Sequence, residues 1–332
     1  MTAASGIPER NVIRVGDALA TLRALPSGEI DQVLTSPPYY RLRNYGVPGQ
    51  LGSEESVDQW VDQLISVADE VDRVLVAGGT FWLNVGDTFA THRRDGTEPK
   101  SLLLGPERLA LAMTARGWRL RSKVIWHKSN PRPSSVRDRF TASWEYVYVF
   151  ARSARYFFDL DSVRIPLVSQ PKSRQKARGR PTVEHWRGSH GATSGGLRLM
   201  HERGIAGHPL GKNPGDVWRL ASSRRHGAHH AAYPVELARR AIAAGCPELR
   251  CTKCHAPYIR PTKREGATAT RLDPTPTCDC NAGSQPGVVC DPFIGSGTTA
   301  IAARQLGRDW LGIELNPDFA AAARQRIAGT PP

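Results

Sequence analysis

Long apolar runs are missing from this chain of 332 residues. No stretch approaches the roughly 18 consecutive apolar residues that a membrane span needs. Residues 1–10 also lack the apolar centre of a secretory signal. The sequence therefore predicts a cytoplasmic protein with no segment in a membrane.

Acidic residues are scarce relative to basic ones. Asp and Glu together number 31 against 45 Lys and Arg, which gives a formal charge of +14. Such a charge favours a polyanionic partner, because each cation near a phosphate releases condensed counterions. Residues 166–225 alone carry twelve basic and three acidic side chains. Two interpretations of that segment remain, a solvated flexible loop or a surface that binds nucleic acid.

Cysteines are also few, six in all, and four of them form two close pairs. Two residues separate Cys251 from Cys254, whereas a single residue separates Cys278 from Cys280. Close thiol pairs fit metal binding in a reducing compartment better than a disulfide framework. The four thiols suit a tetrahedral structural zinc ion, although the second spacing is tighter than usual. The alternative is four ordinary reduced cysteines.

Strand-length apolar runs alternate with helical periodicity along most of the chain. Between Ser56 and Leu75, apolar residues recur at helical spacing after a Ser56–Gln59 capping box, and Gly78-Gly79 is expected to end that helix. Further helices are predicted over 106–116, from 234 onwards, over 298–306 and over 317–327. Seven strands are predicted over 11–15, 30–34, 80–85, 123–126, 146–150, 288–290 and 310–313. The alternation indicates an α/β fold with a largely parallel sheet.

The locations of four residues in or near these strands can also be predicted. Asn84 and Asp87 are either walls of an active site or polar groups that end a strand. Trp126 and Trp144 are expected in the core.

A glycine-rich loop follows the predicted strand that ends at Asp291. Gly295 and Gly297 let the backbone adopt positive φ and approach a ligand closely, and the helix that follows offers free amides. The next strand ends at Glu314, where a carboxylate is placed to accept ribose hydroxyls. A tight turn and a surface carboxylate are the plain structural alternatives.

A second short motif, Thr35-Ser36-Pro37-Pro38-Tyr39, follows a predicted strand near the amino end. The exocyclic amine of a nucleobase is a poor nucleophile, because its lone pair is delocalised into the ring. The Ser36 hydroxyl and the Pro37 carbonyl are suited to accept its hydrogens outside the ring plane, in a loop that Pro38 stiffens. Tyr39 offers a face on which an extruded base can stack. A polyproline turn that binds nothing is the alternative.

The two motifs resemble those of DNA amino-methyltransferases of the beta class, whose catalytic loop precedes the cofactor loop. The resemblance implies a Rossmann-like methyltransferase fold with a seven-stranded, largely parallel sheet, circularly permuted motif order and loop-rich insertions. It also implies S-adenosylmethionine as the cofactor. Ser36 at the first loop position is typical of members that modify cytosine N4, and adenine N6 is the alternative target. The resemblance to this family extends to residues 40–46, 80–87, 126–131 and 213–218.

The resemblance also assigns site residues. Asp17 is expected beside the cofactor adenine, or alternatively as a helix N-cap. The predicted catalytic residues are Ser36, Pro37, Pro38 and Tyr39. The predicted cofactor-binding residues are Asp17, Tyr233, Pro234, Asp291, Phe293, Gly295, Ser296, Gly297, Thr298 and Glu314.

The predicted organisation is a methyltransferase domain in two halves, with two insertions. Residues 1–165 form the catalytic half, and residues 213–250 with 281–332 form the cofactor-binding half. Residues 166–212 form a target-recognition insertion, and residues 251–280 a zinc-binding insertion. The expected partner is double-stranded DNA with the target base flipped out. A cognate restriction endonuclease and a second copy of the chain are further expected partners.

Two competing functions stay open at this point. One is methylation of a protein glutamine or of an RNA amine by the same fold. The other is a catalytically inactive, zinc-containing DNA-binding protein with a degenerate methyltransferase fold. Binding of S-adenosylmethionine separates the second competitor from an active enzyme.

Overall fold

The computed structural model describes residues 9–166, 208–223, 233–265 and 268–331. The chain divides into two compact units. The larger comprises Met1–Asp159, Gly215–Ile259 and Pro276–Pro332, and the smaller comprises Leu160–Pro214 and Arg260–Thr275. Most of the predicted target-recognition insertion, residues 167–207, lies outside the described residues, so its role stays a prediction.

Strands and helices alternate along the larger unit. Its helices are α1 (Ala18–Arg23), α2 (Val57–Val74), α3 (Gly105–Ala115), α4 (Val235–Gly245), α5 (Thr298–Gln305) and α6 (Pro317–Ala328). Its main strands are β1 (Val12–Val15), β2 (Ile30–Thr35), β3 (Leu75–Val85), β4 (Arg119–Lys128), β5 (Trp144–Ala151), β6 (Val217–Leu220), β13 (Val288–Asp291) and β14 (Asp309–Glu314). Shorter strands between α4 and β13 are β7 (Leu249–Cys251), β8 (Tyr258–Ile259), β9 (Thr262–Glu265), β10 (Thr268–Arg271), β11 (Thr275–Pro276) and β12 (Ser284–Pro286).

The main sheet has the strand order β1-β14-β13-β2-β3-β5-β4-β6. Neighbours run parallel except around β5, which is antiparallel to β3 and to β4. The predicted α/β fold with a largely parallel sheet is therefore confirmed, but the sheet has eight strands instead of seven. The additional strand is β6, in which only Trp218 is buried. Such a short, half-exposed segment has no apolar pattern from which to predict a strand.

Strands from the two ends of the chain pair with each other in one half of this sheet. β1 pairs with β14, and the Gly16 amide donates to the Glu314 carbonyl at 2.9 Å. β13 pairs with β2, which brings Asp291 beside Thr35. Because these four strands are parallel, their carboxyl ends lie at one edge of the sheet, where ligands bind in open α/β folds.

Helix α2 forms as its sequence predicts, and it begins after Ser56. The Ser56 hydroxyl accepts from the Gln59 amide at 3.3 Å, while the Gln59 side chain caps the Glu55 amide instead of that of Ser56. The helix ends at Val74 and β3 follows at once, so Gly78-Gly79 lies inside a strand and the predicted helix break there is wrong. A Cβ on Gly79 would lie 3.0 Å from the Asp31 carbonyl, so close strand approach explains that glycine.

One of the two predicted core tryptophans is exposed. Trp126 is buried, whereas Trp144 at the start of β5 keeps 47% of its surface exposed. Its ring packs edge-on against Tyr146, with centroids 4.8 Å apart. Trp144 is therefore at the rim of the sheet, where strand periodicity alone cannot distinguish it from a core residue.

The smaller unit contains a hairpin of β9 and β10. Asp161 accepts from the Thr262 hydroxyl at 2.7 Å and pairs with Arg164 at 2.6 Å. The bond to Thr262 joins the two chain segments of this unit. Among the described residues, no helix combines the length and the apolarity that crossing a membrane requires.

Candidate active site

An open cleft lies at the carboxyl ends of β1, β14, β13 and β2. Its empty space is about 860 Å³, open solvent at the mouth included. The structure places ten predicted residues in its lining: Asp17, Ser36, Pro38, Tyr233, Asp291, Phe293, Gly295, Ser296, Thr298 and Glu314. Four predicted residues are outside that lining: Pro37, Tyr39, Pro234 and Gly297.

The glycine-rich loop has the backbone conformation that its sequence predicts. Gly295 has φ of 48° and Gly297 has φ of 78°, both in the left-handed region that disfavours side chains. Gly297 serves as the N-cap of α5, and a Cβ there would lie 2.9 Å from Ile327. Gly297 therefore shapes the loop through packing, while Gly295 faces the cleft.

Glu314 holds the glycine-rich loop against the end of β14. One carboxylate oxygen accepts from the Gly295 amide at 2.9 Å, and the other accepts from the Asn316 amide at 3.0 Å. Burial raises the pKa of Glu314, and these amide hydrogen bonds oppose the rise. Each oxygen retains acceptor capacity for a further donor, as a pair of hydroxyl groups requires.

Asp291 joins three segments that are far apart in the sequence. Its Oδ1 accepts from the Thr35 hydroxyl at 2.5 Å and from the Phe293 amide at 3.1 Å. Its Oδ2 contacts the hydroxyls of Tyr233, at 3.2 Å, and of Thr299. Burial raises the pKa of this carboxyl, while the hydrogen bonds favour its ionised form. Because protein donors occupy both oxygens, Asp291 orients the loops that surround the cleft.

Asp17 and Pro234 lie at the starts of helices. The Asp17 carboxylate accepts from the Ala20 amide at 2.8 Å and caps α1, and the residue also lines the cleft. Its two expected roles are therefore compatible. Pro234 is the N-cap of α4 and positions its buried neighbour Tyr233.

The Pro-Pro loop is fixed by its surroundings. The buried Trp60 of α2 donates its indole N–H to the Pro38 carbonyl at 2.9 Å. In the described part of the chain, no hydrogen bond reaches the Pro37 carbonyl. Of the two proline carbonyls, the one at Pro37 is thus the one with both lone pairs free of protein donors among the described residues.

A hydrogen-bond relay extends from Ser36 into the sheet. The Ser36 hydroxyl donates to the Tyr39 oxygen at 3.2 Å, and the Tyr39 hydroxyl donates to Glu145 at 2.8 Å. Glu145 also accepts from the Asn84 amide at 3.1 Å and pairs with Lys128. Burial and the nearby Glu145 carboxylate raise the pKa of Tyr39 well above its usual value, so its proton stays in place. With its own proton directed at Tyr39, the Ser36 oxygen presents lone pairs to a ligand.

The relay also separates the roles of two residues at the end of β3. Asn84 contacts Tyr39 and Glu145 and is therefore part of the relay, but it does not line the cleft. Asp87 instead accepts from the amides of Leu104 and Gly105 and caps the start of α3.

Sequence reasoning missed Glu145, Lys128 and the loop over 45–51. Glu145 and Lys128 lie on adjacent strands; Glu145 is the one charged residue of β5, near its start, and Lys128 is the last residue of β4. That was the signal available in the sequence. The loop forms one wall of the cleft through Tyr45, whose amide donates to Gln50 at 2.7 Å and whose carbonyl accepts from Asn316 at 3.4 Å.

Comparison with known proteins gives the family. A family model described as DNA methylase, of the N6/N4 type, matches residues 30–325. The type II methyltransferase M.Cfr9I of Citrobacter freundii is 31% identical over 336 residues, covering 95% of this chain and 86% of that protein. The type II methyltransferase M.SmaI of Serratia marcescens is also 31% identical, covering 95% of this chain and 90% of its own.

Solved structures agree in fold. The PvuII DNA methyltransferase (cytosine-N4-specific) superimposes with a TM-score of 0.58 at 18% identity, covering 95% of this chain and 85% of that one. A putative DNA modification methylase from Thermus thermophilus, complexed with S-adenosyl-L-methionine, gives 0.51 at 23% identity, covering 95% and 93%. The family match, the sequence relatives and the shared fold together show that this chain belongs to the N4/N6 amino-methyltransferase family of DNA methylases.

Proposed function

We propose that this protein transfers a methyl group from S-adenosylmethionine to the exocyclic N4 of a cytosine flipped out of double-stranded DNA. The observation that carries the proposal is that one cleft is lined both by Ser36 and by the Gly295–Glu314 pair. Segments from opposite ends of the chain thus line the same cleft. Reaction of two bound molecules requires such a juxtaposition.

The cofactor side of the cleft fits an adenosyl group. Glu314 offers two carboxylate oxygens for the ribose hydroxyls, and Gly295 allows close approach of the backbone. Asp17, at the end of β1, is proposed beside the adenine, while Phe293 and Tyr233 line the same cleft. When bound, the cofactor supplies an activated methyl group on a sulfonium.

The Pro-Pro loop is proposed to activate the amine. The Ser36 oxygen and the Pro37 carbonyl each accept one amine hydrogen, which draws the nitrogen lone pair out of conjugation with the ring. That lone pair forms the new N–C bond while the C–S bond breaks with its electrons left on sulfur, and one amine proton passes to water. Tyr39 is proposed as the stacking surface, with its ring orientation fixed by the bonds of its hydroxyl to Ser36 and Glu145.

Cytosine N4 is proposed ahead of adenine N6 because Ser36 begins the catalytic loop. The cytosine-N4-specific PvuII enzyme has the same fold, which is consistent with that choice. The type II names of the sequence relatives support a cognate restriction endonuclease as a partner. The basic segment over 166–212 is proposed to contact the DNA, with arginines at guanine edges and at phosphates.

Product analysis tests the proposed reaction. The protein is incubated with tritiated S-adenosylmethionine and mixed-sequence DNA, and the DNA is then digested to nucleosides and chromatographed. We expect label in N4-methyl-2′-deoxycytidine. Label in N6-methyl-2′-deoxyadenosine would select the alternative target base, and label in neither nucleoside would contradict both.

Glu145 is a positioning residue in this scheme, because it acts on Ser36 through Tyr39. The Glu145→Gln variant weakens a charge-assisted hydrogen bond worth about 1.5–3 kcal/mol, so kcat should fall about 10- to 100-fold. KM for S-adenosylmethionine should be unchanged, since Glu145 is outside the cleft lining. Steady-state kinetics measure both, with Glu98→Gln, an exposed glutamate paired with Arg93, as the control. A rise in KM with an unchanged kcat would remove Glu145 from the relay.

Cofactor affinity should depend on pH through Glu314. Burial raises its pKa above the ordinary 4.5, so the ionised acceptor is lost as pH falls through this raised pKa. The association constant for S-adenosylmethionine should therefore decrease on acidification, beginning at a higher pH than for an ordinary glutamate. Calorimetric titrations of wild type and Glu314→Gln check this. The variant should bind more weakly and lose this dependence; equal pH slopes in both proteins would contradict the assignment.

A further inference from the structure

Four cysteine thiols converge outside the active-site cleft. The Sγ atoms of Cys251, Cys254, Cys278 and Cys280 all lie within 4.8 Å of one another. All four are free thiols. Tetrahedral zinc with Zn–S bonds of about 2.3 Å needs sulfurs about 3.8 Å apart. A small inward movement of these side chains therefore completes a metal site.

Strand pairing brings the two thiol pairs together. β7 and β12 are antiparallel, with Ser284 opposite Cys251, and the Thr252 amide donates to the Gly283 carbonyl at 3.2 Å. The second cysteine pair directly precedes β12 in the chain. The backbone thus holds the two pairs side by side, although two residues separate the cysteines of one pair and one residue those of the other.

Each thiol pair is followed by a residue with a left-handed backbone conformation. His255 follows Cys254 with φ of 58°, and Asn281 follows the second pair with φ of 49°, both in the left-handed region. The turn after the first pair is closed by bonds that include the His255 amide to the Cys251 carbonyl at 3.1 Å. The Lys253 amide also donates to the Cys251 sulfur at 3.4 Å.

The same segment is anchored to the amino end of β2. Arg250, which has no exposed side-chain surface, donates to the Asp31 carboxylate at 3.1 Å and to the Glu29 carbonyl at 2.7 Å. His255 contacts the Gly28 carbonyl through Nδ1 at 2.9 Å. The thiol cluster is therefore joined directly to the strand that leads to the catalytic loop.

The cluster and the catalytic loop lie toward opposite ends of β2. Asp31 and Ser36 are five residues apart, which at a rise of about 3.3 Å per residue is roughly 16 Å. None of the four cysteines lines the cleft. A metal ion in the cluster therefore takes no part in chemistry there.

The geometry points to one structural Zn²⁺ bound by Cys251, Cys254, Cys278 and Cys280, which fastens the β7–β12 segment to the amino end of β2. Four thiolates complete a tetrahedral shell and leave no open position, as in structural zinc sites. Because such a site exists only in the folded chain, binding stabilises the fold. The inference is independent of the proposed methyl transfer.

Metal analysis of the full-length protein tests this assignment. Protein purified in reducing, chelator-free buffer should contain one zinc per chain by plasma mass spectrometry. The Cys278→Ser/Cys280→Ser double variant should contain almost none, whereas Cys246→Ala, which removes a buried thiol outside the cluster, should keep it. Stripping the wild-type metal with a chelator should lower Tm, and added zinc should restore it.

Cobalt(II) substitution gives a second readout that does not depend on folding of the variants. Cobalt added to the stripped wild-type chain should produce thiolate-to-metal charge-transfer bands and the intense visible bands of tetrahedral coordination. A wild-type chain that holds no zinc and gives no such spectrum would overturn the inference. Iron in place of zinc, or two disulfides among the four cysteines in the reduced preparation, would overturn it equally.

Discussion

Replacing Ser36 by alanine should lower kcat by about 100- to 1,000-fold, the usual effect of removing one preorganised polar group from a reacting centre. The hydroxyl is held by Tyr39 so that its lone pairs are available to the amine. Affinity for S-adenosylmethionine should hardly change, because the proposed ribose and adenine contacts are made by Glu314, Gly295 and Asp17. Single-turnover methylation and calorimetry measure the two quantities separately.

Ser66→Ala is the matched control for this experiment. Ser66 is on α2, where its hydroxyl bonds to the Asp62 carbonyl, and it is absent from the cleft lining. Its replacement should leave both quantities unaltered. A Ser36→Ala enzyme with the wild-type rate would exclude Ser36 from the mechanism.

Replacing Asp291 by alanine should have the largest effect on stability. A buried donor left without its acceptor costs about 1–3 kcal/mol, and here Thr35, Tyr233, Thr299 and the Phe293 amide all lose their acceptor. Cofactor affinity should fall as well, since three walls of the cleft are no longer tied together. Denaturant unfolding gives the free energy of unfolding, and calorimetry gives the affinity.

An exposed aspartate calibrates that result. Asp58 pairs with Arg108 on the surface of α2, and such pairs contribute only about 0–1 kcal/mol. Asp58→Ala should therefore change the free energy of unfolding little and leave cofactor binding intact. If Asp291→Ala unfolded no more easily than Asp58→Ala, the three-segment link would not be a stabilising feature.

The sequence predicts those parts of the site that depend on short, local patterns. Gly295 and Gly297 require positive φ, and consecutive prolines stiffen the loop after Ser36, so both loops can be recognised without a structure. Their meeting in one cleft also follows, because parallel strands place their carboxyl ends at one edge. The alternation of strands and helices predicts the α/β class, because it too is visible as a local pattern of apolar residues.

Features that depend on which strands become neighbours could not be predicted. The partnership of Tyr39 with Glu145 requires the antiparallel pairing of β5 with β3, and no local periodicity specifies it. The exposure of Trp144 and the existence of β6 depend on the rim of the sheet. The Gly78-Gly79 pair resembles a helix end in sequence, yet close strand packing explains Gly79.

The determination of a ternary structure would test the central claim most directly. The protein would be crystallised with S-adenosylhomocysteine and a DNA duplex that it methylates. The account predicts the cofactor sulfur in the cleft lined by Gly295 and Glu314, with the amine of an extruded cytosine bonded to the Ser36 oxygen and the Pro37 carbonyl. A cofactor bound elsewhere, or a target base whose amine contacts neither group, would contradict it.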